Sequence, residues 1–354
     1  MEILLEELYK TDLHIDKYHD RKIFLEQDSY QLNGVSKCGK TTLVKNYLLS
    51  LKKSTYLYVD YSDIRINKDT FNTILPSFCN QNKITTLVLD NFTPEFHFFN
   101  IPQLIIISEK HYEIDFLKNI QLFPLDYEEF LAYEHKYDSS ALNHFFQLGG
   151  LPSMHKIAQD ERNLYIQKIL HYTLEDIEFD ILTLCAKFMS QKISAYTIYE
   201  RLKQTRKISK DKLYSSFEQL LGKKYIHQLE KFNHKRATKK IYLCDITLKS
   251  ALSIEKNFGK LFENMVYLEL LKSNKECFYE DGIDFYLPQN DEIILCKPFI
   301  DERRLFKKLE SLEAFLFTHS IKHITVITMN KEGSVAHPLS SVAIIPFDIW
   351  ALGD

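Results

Sequence analysis

The stretch from Gly34 to Thr42 constrains this chain more than any other, and it reads Gly-Val-Ser-Lys-Cys-Gly-Lys-Thr-Thr. The spacing is that of G-x-x-x-x-G-K-[ST], a loop that cradles phosphate. Gly34 and Gly39 let the backbone curl until successive N–H groups point inward at an anion. Lys40 is placed to reach the β and γ phosphates, and the Thr41 hydroxyl to ligate Mg²⁺. Lys37 adds positive charge beside the phosphates, and Cys38 and Thr42 complete the cradle. The following helix turns its positive end to the same anion. Only 9 of the 354 residues are glycine, so two at this spacing ahead of Lys-Thr are hard to obtain by chance. The alternative is a Gly-containing turn that binds nothing.

The flanks favour the phosphate loop. From Thr41 to Lys52, Leu43, Val44, Tyr47, Leu48 and Leu51 repeat at helical spacing and make one apolar stripe. Before the loop, Ser29-Tyr30-Gln31-Leu32-Asn33 reads as a short, half-polar strand, expected to be partly exposed. Residues 1 to about 28 read as helix and loop, with Arg21 a surface residue or, alternatively, a contact to nucleotide. Further strands are expected over Thr55–Asp60, Ile84–Asp90, Gln103–Ser108 and Ile120–Leu122, with helix or loop over Phe71–Phe78. Two of them are near-continuous aliphatic runs, as in strands buried on both faces of a parallel sheet. The alternation implies a doubly wound α/β sheet with its ligand at the strand C-termini. Asp90 ends its strand where a second acid would hold Mg²⁺.

A chain of this length suggests two or three domains. No apolar run approaches about 18 residues, so no membrane span is expected. The acidic N-terminus is unlike a signal peptide. Six scattered cysteines without a C-x-x-C pair suggest a reducing, cytoplasmic compartment and neither disulfide frame nor zinc site. The formal net charge of −3 hides an asymmetry: Lys187–Lys240 holds fifteen Lys and Arg against four acids, a local +11 that leaves −14 elsewhere. Such a segment calls for an anionic partner or a strongly solvated face.

The chain resembles the prokaryotic AAA-superfamily ATPases that carry a C-terminal domain of unknown function. The matching pieces are Gly34–Thr42, Leu87–Asp90, and Leu122-Phe123-Pro124-Leu125-Asp126-Tyr127-Glu128-Glu129-Phe130, with Asp126 where that family has Ser. Phe145–Pro152 resembles its Gly-Gly turn and Lys240–Asp245 its K-x-Y-x-x-D strand; Leu261–Asn264 and Gly282–Phe285 resemble pieces of its closing domain. The resemblance implies an ATPase core over 1–150 that binds ATP and Mg²⁺ through Thr41 and Asp90. Over 151–178, Tyr165, Ile166, Ile169, Leu170 and Tyr172 keep helical spacing and read as a small helical lid, or else as an ordinary packing helix. It also admits a homo-oligomer in which a neighbouring copy supplies an arginine at the γ-phosphate. Ser108 stands at the place of a γ-phosphate sensor. Two positions depart from the pattern. Asn91 replaces the glutamate that activates water, and an amide can orient water but cannot take its proton. Glu109 is the substitute base considered, against a surface role. Lys37 stands where that family often has Arg.

Over 179–255 the pattern gives three short helices and a hairpin, the layout of a winged helix. Ser194 caps one helix and Ser209 the next, which would be the recognition helix, with Lys210 and Lys212 outward. Lys235 and Arg236 sit at the wing tip. These four are the candidate contacts to duplex DNA, with a protein or interdomain role as the alternative. The segment 256–354 is α/β again. Its Glu263, Asp284 and Lys297 follow the layout of the restriction-endonuclease-like fold that the resemblance implies. Leu295 occupies the remaining acid position, so this site is expected to be degenerate.

Overall fold

The computed structural model describes residues 1–273 and 275–353. The chain divides into two compact units: Met1–Pro124 with Ala132–His135 and Leu151–Ser153, and Leu125–Leu131 with Lys136–Gly150 and Met154–Asp354.

In the first unit, helices α1 (Glu2–Lys10), α2 (Lys40–Leu49) and α3 (Lys68–Gln81) accompany strands β1 (Tyr30–Asn33), β2 (Tyr56–Asp60), β3 (Thr86–Asp90), β4 (Gln103–Ser108) and β5 (Lys118–Gln121). The strands form one parallel sheet in the order β2-β3-β4-β1-β5. β3 and β4 are buried at every residue, as their unbroken aliphatic runs require. One face packs on Leu4 and Leu5 of α1 and on Phe71, Leu75 and Phe78 of α3.

β1 corrects an expectation. Despite two amide side chains it is buried throughout, and it lies between β4 and β5. Cross-strand partners replace the water these amides give up. Gln31 Nε2 lies 2.5 Å from His111 Nδ1, Asn33 Nδ2 donates to Asn119 Oδ1 at 2.5 Å, and Asn33 Oδ1 accepts from Ser108 Oγ at 3.0 Å.

The chain continues through α4 (Tyr127–Glu134), α5 (Ala141–Leu148), α6 (Arg162–Thr173), α7 (Asp176–Lys187), β6 (Gln191–Lys192), α8 (Ala195–Lys203), α9 (Lys210–Gly222), β7 (Ile226–Leu229), β8 (Lys240–Leu243) and α10 (Thr247–Leu252). Ser194 and Ser209 accept the backbone N–H of Thr197 and Lys212, the N-caps their spacing implied. β6, β8 and β7 form a small antiparallel sheet. A buried ion pair ties α7 to the residue that follows α9: Lys223 Nζ donates to both Glu178 oxygens, at 2.8 and 2.7 Å. Asp245 Oδ2 accepts from Gly150 N at 2.6 Å, so the Gly-Gly turn and the end of β8 are joined. Gly149 has φ +62, and a Cβ there would strike the same carboxylate.

The remainder is α11 (Phe258–Lys272), β9 (Phe278–Glu280), β10 (Ile283–Leu287), β11 (Glu292–Cys296), α12 (Glu302–Thr318), β12 (His323–Thr328), β13 (Gly333–Val335), β14 (Ser341–Pro346) and α13 (Phe347–Leu352). Its mixed sheet runs β13-β14-β12-β11-β10-β9. Leu305, Leu309, Leu312 and Leu316 form the stripe by which α12 covers Ile293, Leu295, Ile324 and Val326. Among the described residues no helix is long and apolar enough to cross a membrane.

Candidate functional site

The loop after β1 is shaped by steric demands that only its own residues meet. A Cβ on Gly34 would strike the Leu122 carbonyl and come within 2.8 Å of Cys38 Sγ. Gly39 has φ +104 and caps α2, while Lys37 has φ +65 and is exposed. Arg21 is a brace and not a surface residue. It is 8% exposed, its Nη1 donates to Cys38 O at 3.1 Å, and its Nη2 donates to Phe123 O at 2.8 Å. Both acceptors are backbone carbonyls, one in the loop and one just after β5, and the forked guanidinium bridges them. Lys40 Nζ donates to Gly34 O at 2.7 Å and Val35 O at 3.0 Å, which holds its charge inside the loop. Thr41 and Thr42 lie half-buried in the first turn of α2.

The second acid meets the loop. Thr41 Oγ1 donates to Asp90 Oδ2 at 2.6 Å, and Asp90 is 5% exposed. Tyr58 OH, on the adjacent strand, donates to the same oxygen at 2.6 Å, and Asn91 N donates to Asp90 Oδ1 at 2.9 Å. Burial first, and then the Asp90 charge, pushes the Tyr58 phenol well above its usual range, so it stays a donor. Sequence reasoning missed Tyr58. The signal was its place in β2, two residues before Asp60, on the strand that pairs with β3.

The remaining candidates sit differently. Asn91 has φ +54, and its Nδ2 donates to Asp60 Oδ1 at 3.0 Å. Asp60 ends β2 in register with Asp90, so a carboxylate does stand beside the Asn91 amide. The Ser108 hydroxyl turns to Asn33 Oδ1 and the Lys110 carbonyl. Glu109 is partly exposed at the end of β4.

The basic segment of the second unit is partly neutralised, mostly by acids outside itself. Seven of its fifteen cations have carboxylate partners: Lys192, Arg206, Lys212, Lys223, Lys231, Lys239 and Lys240. Of their partners only Glu230 lies within 187–240. Lys212, a candidate DNA contact, pairs with Glu175 at 2.6 Å. Lys210, Lys235 and Arg236 are exposed, with no carboxylate within 4.0 Å among the described residues.

Glu263, Asp284 and Lys297 converge, but around an ammonium. Lys240 Nζ lies 2.8 Å from Glu263 Oε1 and 4.0 Å from Asp284 Oδ1. Glu263 also accepts from Tyr242 OH at 2.9 Å and Lys260 Nζ at 2.7 Å, and Lys297 lies 3.9 Å from Asp284. Burial, then the Glu263 charge, raises the Asp284 carboxyl above its usual range. Leu295 is fully buried in the apolar cluster under α12. Among the described residues no group of three or more His, Cys, Asp or Glu could hold a metal ion. Lys240 was missed as a member of this cluster because its partners lie on α11 and β10, far along the chain.

A five-stranded parallel sheet with the glycine loop between β1 and α2, and Thr41 bonded to an acid ending β3, is a P-loop NTPase α/β fold. No family model matches the chain. It is 25% identical over 278 residues to the uncharacterized protein MJ1544 of Methanocaldococcus jannaschii, a match that covers 66% of this chain and 63% of that protein's length. Solved structures similar to it include the Walker-type ATPase PABY2304 of Pyrococcus abyssi, at 13% identity and TM-score 0.40, covering 63% of this chain and 90% of the other. The Orc1 protein of Aeropyrum pernix, solved in complex with DNA, aligns at 12% identity and TM-score 0.27, covering 64% and 86%.

Proposed function

We propose that the first unit binds Mg-ATP in the loop from Gly34 to Thr42 and that the protein is an AAA-type ATPase. The observation that carries this reading is the 2.6 Å bond between Thr41 Oγ1 and Asp90 Oδ2 beside an inward-held Lys40. These residues fit the group. Thr41 and Asp90 would hold Mg²⁺, which neutralises developing charge on the phosphates. Lys40 and the loop N–H groups would hold the phosphates themselves. Asp60, which accepts from Asn91, is the carboxylate we assign to orient the attacking water in place of the absent glutamate.

In this reading 151–178 forms a lid and 179–255 a winged helix that contacts DNA or a protein partner. Nucleotide state shifts the winged helix between two arrangements, a switch driven by γ-phosphate contacts. The 256–354 segment is a degenerate endonuclease-like domain, with Lys240 neutralising its acids. The protein acts in the cytoplasm, and self-association would bring a neighbour's arginine to the nucleotide. Turnover of ATP measured with and without duplex DNA tests the reading: stimulation by DNA supports it. A second reading is a non-hydrolysing, nucleotide-dependent switch that binds protein. Asn91 favours it, and tight ATP binding without turnover would establish it.

A further inference from the structure

The internal pairing of the basic segment leaves a pattern in what remains. Among the described residues, the cations of this segment without a carboxylate partner are Lys187, Arg201, Lys203, Lys207, Lys210, Lys224, Lys235 and Arg236, all exposed. Four of these fall on α8, on α9 or in the turn between them. The same two helices carry aromatic rings turned to solvent: Tyr196 is 52% exposed and Tyr214 is 37% exposed. Lys210 Nζ stands 5.6 Å from both ring centroids. Tyr196 and Tyr199 lie 6.4 Å apart at 39°, and Lys203 Nζ stands 5.6 Å from Tyr199. Tyr214, Lys210, Tyr196, Tyr199 and Lys203 therefore form one continuous row of three rings and two ammonium groups. Glu200, Asp211 and Glu218 are the exposed acids on the same two helices.

A face that only met the backbone of a duplex would need the cations and not the rings. Phenol rings left half in water beside cations suit a partner that brings both planar faces and regularly spaced negative charge. We infer that the α8–α9 surface is a stacking platform for unpaired nucleic-acid bases, with Tyr196 and Tyr214 taking the bases and Lys203, Lys207 and Lys210 the flanking phosphates. This rests on the reading that the 179–255 segment contacts nucleic acid, and it names the face and the kind of strand. The hairpin connection carries no tyrosine beside Lys235 and Arg236, its Phe232 packs against Phe278 and Tyr286, and it would serve duplex phosphates.

The test is fluorescence anisotropy of the full chain with a labelled oligothymidylate about 20 nucleotides long, and with a duplex of equal length, over a salt series. The single strand is expected to bind more tightly. Tyr196→Ala and Tyr214→Ala should each weaken it about 5- to 100-fold, with the duplex little affected. Lys210→Ala should reduce the slope of log K on log salt by about 0.7. Tyr214→Trp controls for folding: it should keep the affinity, and its emission should be quenched on binding, with Trp350 as the only other indole. Duplex binding that ignores both tyrosines but is lost in a Lys235→Ala/Arg236→Ala variant would overturn the platform and leave the DNA reading standing. Failure to bind either nucleic acid at low salt would overturn both. Equal, tyrosine-independent binding of a polyglutamate peptide would show a mere charge patch and overturn the platform. ATP binding, measured separately, is untouched by any of these outcomes.

Discussion

Replacing Arg21 with alanine tests whether the phosphate loop is held from below. The guanidinium's bonds include two to backbone carbonyls, Cys38 O at 3.1 Å and Phe123 O at 2.8 Å. A bond to a charged donor contributes about 1.5 kcal/mol at the lower end of its range, so losing both costs about 3 kcal/mol. In a unit of about 130 residues that lowers the midpoint of thermal unfolding by about 10 °C. Arg21→Lys keeps the charge but loses the two-pronged geometry, and should recover roughly half of the loss. Urea unfolding gives the stability, and titration with a fluorescent ATP analogue gives the affinity. Both should fall in Arg21→Ala, because the released Cys38 carbonyl lets the loop relax. A variant within about 0.5 kcal/mol of the parent, the scatter typical of surface substitutions, would refute the brace.

Two further outcomes follow from the geometry. His227 is buried, and burial followed by the nearby Lys224 charge lowers its pKa to about 3. Its folded value lies below the unfolded value near 6.5, so the unfolded chain takes up the proton first. The stability it contributes is complete above about pH 6.5 and drains as pH falls toward 3, with about 2 kcal/mol lost by pH 5. Chemical denaturation at pH 7.5 and pH 5 should show that loss in the parent and not in His227→Gln; equal losses would remove His227 as the cause. Asp60→Asn should leave Mg-ATP affinity intact and lower turnover by about 100-fold, the scale of a lost general base. Unchanged turnover in that variant would return the role to another group.

Much of the first unit was legible from local signals. The glycine loop, the aliphatic runs of β3 and β4 and the acid ending β3 each carry their meaning within a few residues. Serine caps on α8 and α9 did so as well. What was not legible depends on partners distant in the chain. Gln31 and Asn33 read as exposed because their partners His111, Asn119 and Ser108 lie more than 70 residues away. Arg21 read as surface because backbone carbonyls, which sequence does not mark, receive it. The +11 count was arithmetically sound but physically incomplete. Six of its cations are met by Glu175, Glu178, Asp180, Glu263, Glu280 and Asp281, all outside the counted segment. Tyr58, Asp60 and Lys240 are ordinary strand residues until the register places them beside acids.

Titration of the protein with Mg-ATP, for the parent and for Lys40→Ala, tests nucleotide binding most directly. Among the described residues Lys40 Nζ donates to Gly34 O and Val35 O, both in its own loop, so its removal should leave the fold intact while withdrawing the charge at the phosphates. Saturable, Mg²⁺-dependent binding in the parent that disappears in Lys40→Ala is the predicted result. Equal ATP affinity in the two proteins, or no binding by a folded parent, would contradict it.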